Sequence, residues 1–414
     1  MSEQHIENNQ DSQSSSDGST SSTANHQKSP PKIQDREIRI SIVAPVIADQ
    51  FVKQGDKYFH VDSLSCPLSG GDAQSIACQI IRAQFPYENK EPDLVEAILK
   101  RAFSGTTKEP EQSIALWNRT TRCAPGNRGR VLRGQYMASI NTWKIPDYRQ
   151  LGMKEADIGM LGEFLDRTFV EPSDKTRFLD WLSWTLQNEQ KKPGFAPLLY
   201  SREKGTGKST LCQFVSRLFG KDNTHSANGL SQVTGRFNKP MLDSKLLVLE
   251  ELKLKPGSNQ GNALKSLITE ADTSAERKGV DLEKTTQCCC FLFTTNHLPQ
   301  WIEGNDRRFH VIDMGHEGHA SGPKADDFAE FMTEFYEWMD DPENIAKAYN
   351  ALMHRKQSEG FNPKALNTSK IETPVMKQIR STSQETLQEQ LAEKLEEDGR
   401  GAIPQEKLIV MIRN

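Results

Sequence analysis

Apolar residues in this chain recur in three patterns, each marking a different kind of element. Short runs with every position apolar occur at 198–200, 246–249 and 288–293, and a fourth strand-like run, 309–312, is interrupted by His310. Runs like these predict strands buried on both faces of a parallel sheet. Helical spacing appears in Met160, Leu161, Phe164 and Leu165, and again, after Pro172 and the candidate cap Ser173, in Phe178, Leu179, Leu182 and Leu186. Trp181 and Trp184 are expected to help this helix pair pack against the next domain. The spacing returns in Leu211, Phe214, Val215, Leu218 and Phe219, stopped by Gly220. The stripe Phe328, Phe331, Met332, Phe335, Trp338 and Met339 predicts a packed helix, and Leu387, Leu391 and Leu395 predict a helix face within a charged segment. Between 36 and 150 the pattern is shorter: Ile38, Ile40, Ile42 and Val43, then Phe51 and Val52 divided by a turn from Tyr58, Phe59 and Val61. That spacing predicts strands of a small mixed domain. Residues 1–35 are almost without apolar side chains and cannot repay the entropy of ordering, so they are expected to be disordered.

Composition narrows this picture. The 414 residues allow two or three domains, and 26% charged residues against 35% hydrophobic ones leave part of the chain outside a packed core. A net charge of -4 argues against a general polyanion binder, so any nucleic acid must meet local basic surfaces. No apolar run approaches the ~20 residues a bilayer span requires, and a charged and apolar leader is missing; a soluble, cytoplasmic protein with no membrane partner is expected. The seven cysteines show no Cys-x-x-Cys pairing and are read as reduced thiols. His316 and His319 lack the further ligands of a zinc site. In NRTTRCAPGNRGRVLRG, Arg119, Arg122, Arg128, Arg130 and Arg133 could touch a nucleic-acid backbone or pair with acids elsewhere.

One junction carries clear chemistry. The strand at 198–200 enters SREKGTGKST and then a helix, the order of a phosphate-binding loop. Gly205, Thr206 and Gly207 let backbone N–H groups curl around an anion, and the helix N-terminus adds partial positive charge. Lys208 would reach the β and γ phosphates; Ser209 would put its hydroxyl on Mg²⁺, with Thr210 beside it. The pattern asks for glycine at 202, where this chain has Arg202. The run at 246–249 ends in Glu250 and Glu251, assigned to the Mg²⁺ shell and to positioning and deprotonating water respectively. The run from Cys288 ends in Asn296, which could bond a γ-phosphate or the lytic water, or simply cap a strand. Arg307 and Arg308 precede the last run, where an arginine could stabilise transition-state charge.

Taken in order, SREKGTGKST, TGRFN, KLLVLEE, LKSLITEADTSAERKGVD, FLFTTNHLP and DRRF resemble superfamily 3 helicases, specifically the helicase part of phage and plasmid primase-helicase proteins related to the poxvirus-type enzymes. The resemblance is specific from 155 to 315 and weaker from 36 to 150, where GDKYF and INTW carry it. It implies an AAA+ type α/β ATPase with a parallel sheet flanked by helices, ATP and Mg²⁺ as cofactors, a homo-oligomer that is a hexameric ring, and translocation on single-stranded DNA in phage or mobile-element replication. It also implies that Arg308, or Arg307 in exchange, acts on the neighbouring subunit's ATP, and that a hairpin bearing Arg277, Lys278 and Lys284 grips DNA. No primase catalytic domain is recognisable, so a separate primase or polymerase is an expected partner. The implied plan is a tail (1–35), an accessory domain (36–150), a helical collar (151–190), the ATPase core (191–318), a helical extension (319–360) and a charged helical C-terminal region (361–414) that ends abruptly in KLIVMIRN, as if a further domain began there. Two other readings stay open: a P-loop phosphotransferase, which leaves Arg308 and the hairpin without purpose, and a nucleotide-dependent replication initiator with little hydrolysis, which Arg202 and the abrupt end would suit.

Overall fold

The computed structural model describes residues 32–105, 109–235, 238–255, 257–277, 280–303, 306–315, 322–371 and 373–382, with 32–34 and 272–285 placed by backbone alone. The tail over 1–31, Lys278, His316, His319 and the leucines at 387, 391 and 395 lie outside the described residues.

The first element corrects the reading of Ile38 to Val43 as strand. It is a helix, α1 (Lys32–Ala48), because Ile40, Val43, Ala44 and Ile47 form an i, i+3, i+4, i+7 stripe that is buried while Ile38 and Ile42 face solvent. The alternation mixed core and surface isoleucines. There follow β1 (Phe51–Gln54), β2 (Lys57–His60), α2 (Gly70–Gln84), α3 (Pro92–Phe103), β3 (Ala115–Arg122), β4 (Val131–Arg133) and β5 (Ala138–Asn141). The strands form one sheet in the order β2-β1-β3-β5-β4, with parallel β1/β3 and β3/β5 pairs inside antiparallel edges. Helices α1 to α3 bury their apolar stripes on Phe51 and Tyr58. The arginine-rich stretch runs from the end of β3 through a loop into β4, with Arg119, Arg122 and Arg133 on strands and Arg128 and Arg130 between them. Arg130 pairs with Asp62 at 2.9 Å, Arg133 donates to the Ser113 carbonyl at 2.7 Å and Arg119 to Gln54 at 3.0 Å, while Arg122 and Arg128 are exposed.

Two helices, α4 (Met160–Thr168) and α5 (Pro172–Gln187), lead into the second sheet. The expected cap Ser173 sits inside α5; Glu171 holds the cap position, because Pro172 fits the first helical position, where no N–H is needed. The remaining elements are β6 (Ala196–Tyr200), α6 (Lys208–Phe219), β7 (Thr224–Ala227), α7 (Leu230–Thr234), α8 (Lys239–Leu242), β8 (Leu246–Leu249), α9 (Asn259–Thr269), the antiparallel pair β9 (Asp272–Arg277) and β10 (Val280–Thr286), β11 (Cys290–Thr295), β12 (Phe309–Asp313), α10 (Ala325–Asp340) and α11 (Pro342–His354). Their sheet is wholly parallel, in the order β12-β6-β11-β8-β7. Alternate strand residues feed two cores. Leu199, Leu246, Val248, Leu292 and Ile312 meet α4, α5, α6, α10 and α11. Leu198, Leu247, Leu249, Phe291, Phe293 and Val311 meet α7, α9 and Val375, Met376 and Ile379. Burial on both faces is why these runs are mostly apolar, and why His310 within β12 is paired with the buried Asp174 at 2.9 Å.

The two sheets are joined by buried polar contacts. Lys239 on α8 donates to the Thr121 carbonyl of β3 at 2.8 Å and pairs with Asp243 at 3.2 Å, and the Asp243 carboxylate takes the Thr121 hydroxyl. Asn223 bonds the Lys144 N–H at 2.8 Å and the Lys144 carbonyl at 2.7 Å. Since Lys239 and Asp243 are almost fully buried, removing one takes a desolvated ion pair from the other. Asp243→Ala is expected to destabilise the protein by about 3–5 kcal/mol, read by urea unfolding; a loss below about 1 kcal/mol, the range of exposed pairs, would show the joint to be solvated.

Candidate nucleotide site

The carboxyl ends of β6, β8 and β11 converge, and that edge of the sheet is where the sequence changes from apolar to polar. Such edges hold ligands in open parallel sheets. Beyond Tyr200 the chain turns through Gly205 (φ 79°) and Gly207 (φ 89°) into α6. The loop's left-handed positions are these glycines, and Arg202 has no positive φ. An ordinary side chain therefore fits at 202 without backbone strain. Gly207 is constrained twice: its φ favours glycine, and a Cβ there would meet the Phe164 ring at 2.8 Å and Thr168 Cγ2 at 3.5 Å. Helix α4 thus floors the loop.

Lys208 is nearly buried and folds back on the loop, with Nζ 3.2 Å from the Glu203 carbonyl and 3.4 Å from Thr206 Oγ1. Burial lowers the pKa of its ammonium. An anion in the loop would restore what desolvation costs that charge. Ser209 Oγ lies 3.4 Å from Glu250 Oε2, so the hydroxyl and the carboxylate meet at one corner. A hard cation there would take one ligand from each and complete its shell with water and phosphate oxygens, in the manner of Mg²⁺. Among the described residues no three His, Cys, Asp or Glu side chains gather into an all-protein metal cage.

Strand β11 lies between β6 and β8, which places Asn296 between the phosphate loop and Glu250. Its Oδ1 is buried without a hydrogen-bond partner in the described protein. A buried amide oxygen left open at a ligand edge is suited to hold a water or a phosphate-bound proton. Glu251 follows Glu250 with φ 53°, an uncommon value for a non-glycine residue, and its N–H is held by Thr294 Oγ1 at 3.2 Å. Glu250 is half-buried and Glu251 is exposed.

The arginines are elsewhere. The Arg308 carbonyl accepts from Ala196 N at 2.9 Å, at the amino end of β6, whereas the loop leaves the carboxyl end. Five residues of strand separate the two ends, roughly 16 Å at ~3.3 Å per residue. Arg308 rests on Asp306 at 3.4 Å with its Nε buried and without a hydrogen-bond partner among the described residues, and Arg307 is exposed. Within one chain the structure brings Gly205, Thr206, Gly207, Lys208, Ser209, Thr210, Glu250 and Asn296 together and leaves Arg307 and Arg308 outside. The β9–β10 pair is antiparallel with Arg277 opposite Val280 and Lys284 opposite Ser274; these two basic residues are placed by backbone only.

One contact at the site leaves no trace in the motifs. The Tyr336 hydroxyl of α10 shares a 2.7 Å hydrogen bond with Thr210 Oγ1 at the start of α6. Tyr336 lies off the apolar stripe of its helix, so hydrophobic spacing carries no signal for it. Beside the Ser209–Glu250 corner a cleft of about 330 Å³, lined by Gln213, Ser216, Arg217, Lys221 and Ser226, opens along α6.

Residues 199–308 match a family model described as a family of unknown function (DUF5906). No curated protein matches the sequence. Among solved structures, the apo structure of the NrS-1 C-terminal region (305–718) is similar at 17% identity with a TM-score of 0.51, over 80% of this chain and 69% of that one. Its A form gives a TM-score of 0.49 at the same identity and coverage. A JCV helicase bound to a small molecule gives 0.27 at 14% identity, over 52% of this chain and 61% of that one. The first of these likenesses, at its low identity, is one of fold. No helix among the described residues is long and apolar enough to cross a membrane.

Gly207→Ala places a methyl group against Phe164 at a left-handed position. It is expected to cost about 1–3 kcal/mol of stability, read by urea unfolding; a variant as stable as the parent would show that the loop and α4 separate freely.

Proposed function

We propose that this chain is an ATP-hydrolysing motor of the superfamily 3 helicase kind, which assembles as a ring of six subunits and translocates on single-stranded DNA during replication of a phage or mobile element.

ATP with Mg²⁺ would supply the electrophilic γ-phosphoryl group and the charge-neutralising metal. The single observation that carries the reading is the convergence of Lys208 and Ser209 with Glu250, 3.4 Å from the Ser209 hydroxyl, and with the open Asn296 oxygen on the strand between them. In this reading the loop amides and Lys208 hold the phosphates, and Ser209 and Glu250 orient the metal's water shell. Asn296 positions the attacking water, and Glu251 takes its proton.

The position of Arg308 supports a trans role. Lying at the opposite end of β6 from its own loop, it would serve the site of an adjoining subunit, and the β9–β10 hairpin with Arg277, Lys278 and Lys284 would face DNA in the channel. The ordered motifs from the phosphate loop to DRRF support the helicase reading over a small-molecule phosphotransferase. The ordinary backbone at Arg202 removes one motive for an initiator without hydrolysis.

Steady-state ATP hydrolysis with and without single-stranded DNA tests the core of this proposal. Parent protein should show turnover stimulated by DNA, lost in Lys208→Ala. Glu251→Gln should keep nucleotide affinity while lowering turnover by about 10²–10⁴-fold. Absence of hydrolysis by folded, Mg²⁺-saturated parent would leave nucleotide-dependent assembly as the function.

The trans assignment has its own check. Arg308→Ala and Lys208→Ala proteins should each be inactive, yet a mixture should regain part of the turnover, because some subunit boundaries then combine an intact loop with an intact arginine. A mixture as inactive as its components would remove Arg308 from the neighbouring site.

A further inference from the structure

Cys123 and Cys288 come from different sheets and meet at the joint between them. Cys123 follows the last residue of β3; Cys288 lies between the end of β10 and the start of β11. The two thiols and Trp143 form a small buried cluster of their own. Cys288 Sγ donates to the Cys123 carbonyl at 3.5 Å, and Lys245 Nζ lies 3.0 Å from the Cys288 carbonyl. Access is provided by a cleft of about 170 Å³, lined by Arg122, Cys123, Gly126, Gln190, Thr286 and Cys288. Neither thiol has a part in the nucleotide site.

We propose that Cys123 and Cys288 are a paired modification site that closes to a disulfide on reaction with a small hydroperoxide. The Cys288 sulfur attacks the peroxide oxygen, the O–O bond breaks, and water or an alcohol leaves, giving a sulfenic acid at Cys288. The Cys123 sulfur then attacks Cys288 Sγ; the S–O bond breaks and a second oxygen leaves as water with the Cys123 proton. Two thiols lose two electrons and two protons, and the hydroperoxide is the oxidant reduced. Order of attack is set by the surroundings. The contact with Cys123, together with the Lys245 ammonium that donates to the Cys288 carbonyl, holds the Cys288 thiol below its ordinary range against the effect of burial, whereas the same contact and burial push Cys123 up. The nucleophile is thus Cys288, and Cys123 resolves it.

The link would tie β3 to the root of the β9–β10 hairpin, next to which β3 already lies. If the hairpin moves with each hydrolytic cycle, a consequence that rests on the proposed motor function, the link would restrain it.

Treatment of the full chain with one equivalent of hydrogen peroxide, followed by denaturation and thiol titration, should lower the count from seven to five. Peptide mass spectrometry should find Cys123 joined to Cys288, and dithiothreitol should restore all seven thiols. Cys123→Ser should accumulate a dimedone-reactive sulfenic acid at Cys288, and Cys288→Ser should form neither product. Oxidation confined to the exposed Cys66, or a Cys288 that stays reduced in both parent and Cys123→Ser, would overturn the proposal. DNA-stimulated ATP hydrolysis should fall in the linked protein and return on reduction. If the link forms in a protein that never hydrolyses ATP, the motor reading fails and the modification site stands; if hydrolysis is present and no link forms, the reverse holds.

Discussion

A parallel sheet covered on both faces can be polar only at the ends of its strands, and most of this molecule obeys that constraint. Side chains of β6, β8, β11 and β12 alternate between two apolar cores, so a titratable group along them needs a buried partner, as His310 of β12 has in Asp174 at 2.9 Å. Polar groups accumulate where the strands stop: Glu250 after β8, Asn296 after β11 and the glycine loop after β6. Because β11 is inserted between β6 and β8, the groups that would bind phosphate and metal stand on either side of the group that would hold water. The geometry of the site is a property of strand order as much as of the side chains themselves.

Helices extend this constraint outward. Phe164 stacks on Phe335 with ring centres 4.7 Å apart, and the same Phe164 closes over Gly207. Helix α10 therefore supports the helix that floors the phosphate loop, and Tyr336 on α10 reaches the first turn of α6 directly. Helix α10 is part of the candidate site's foundation, although no residue of it belongs to a phosphate-binding pattern. The joint to the N-terminal sheet works by different physics. There the contacts are buried charges and amides, Lys239, Asp243 and Asn223, whose directional bonds fix one arrangement.

The patterns most legible in the sequence were those dictated by burial on all sides. Continuous apolar runs located β6, β8 and β11, a run interrupted by His310 located β12, and the spacing of Leu211 to Phe219 located α6, because a parallel sheet leaves few positions free to vary in polarity. In the N-terminal unit, half-buried elements obscured the signal. Ile38 and Ile42 are apolar but exposed, so α1 imitates alternation, and the stretch around Arg119 to Arg133 mixes glycine with short strands. Within the site, Lys208, Ser209 and Glu250 were legible because their roles are tied to local spacing. The distance between Arg308 and its own phosphate loop, the floor formed by Phe164 and the Thr210–Tyr336 bond depend on how distant segments pack, and local spacing does not encode them.

Strand order also shapes how the protein is made. Strand β6 has no sheet partner except β11 and β12, which are synthesised about a hundred residues later. During synthesis at ~5–20 residues per second, its two apolar edges stay unpaired for on the order of ten seconds. The β7–β8 pair, by contrast, can zip as soon as it emerges. The edge that carries the candidate site is therefore the last part of the core to close, and a nascent or interrupted chain that stops short of β11 exposes β6 as a template for association with other chains.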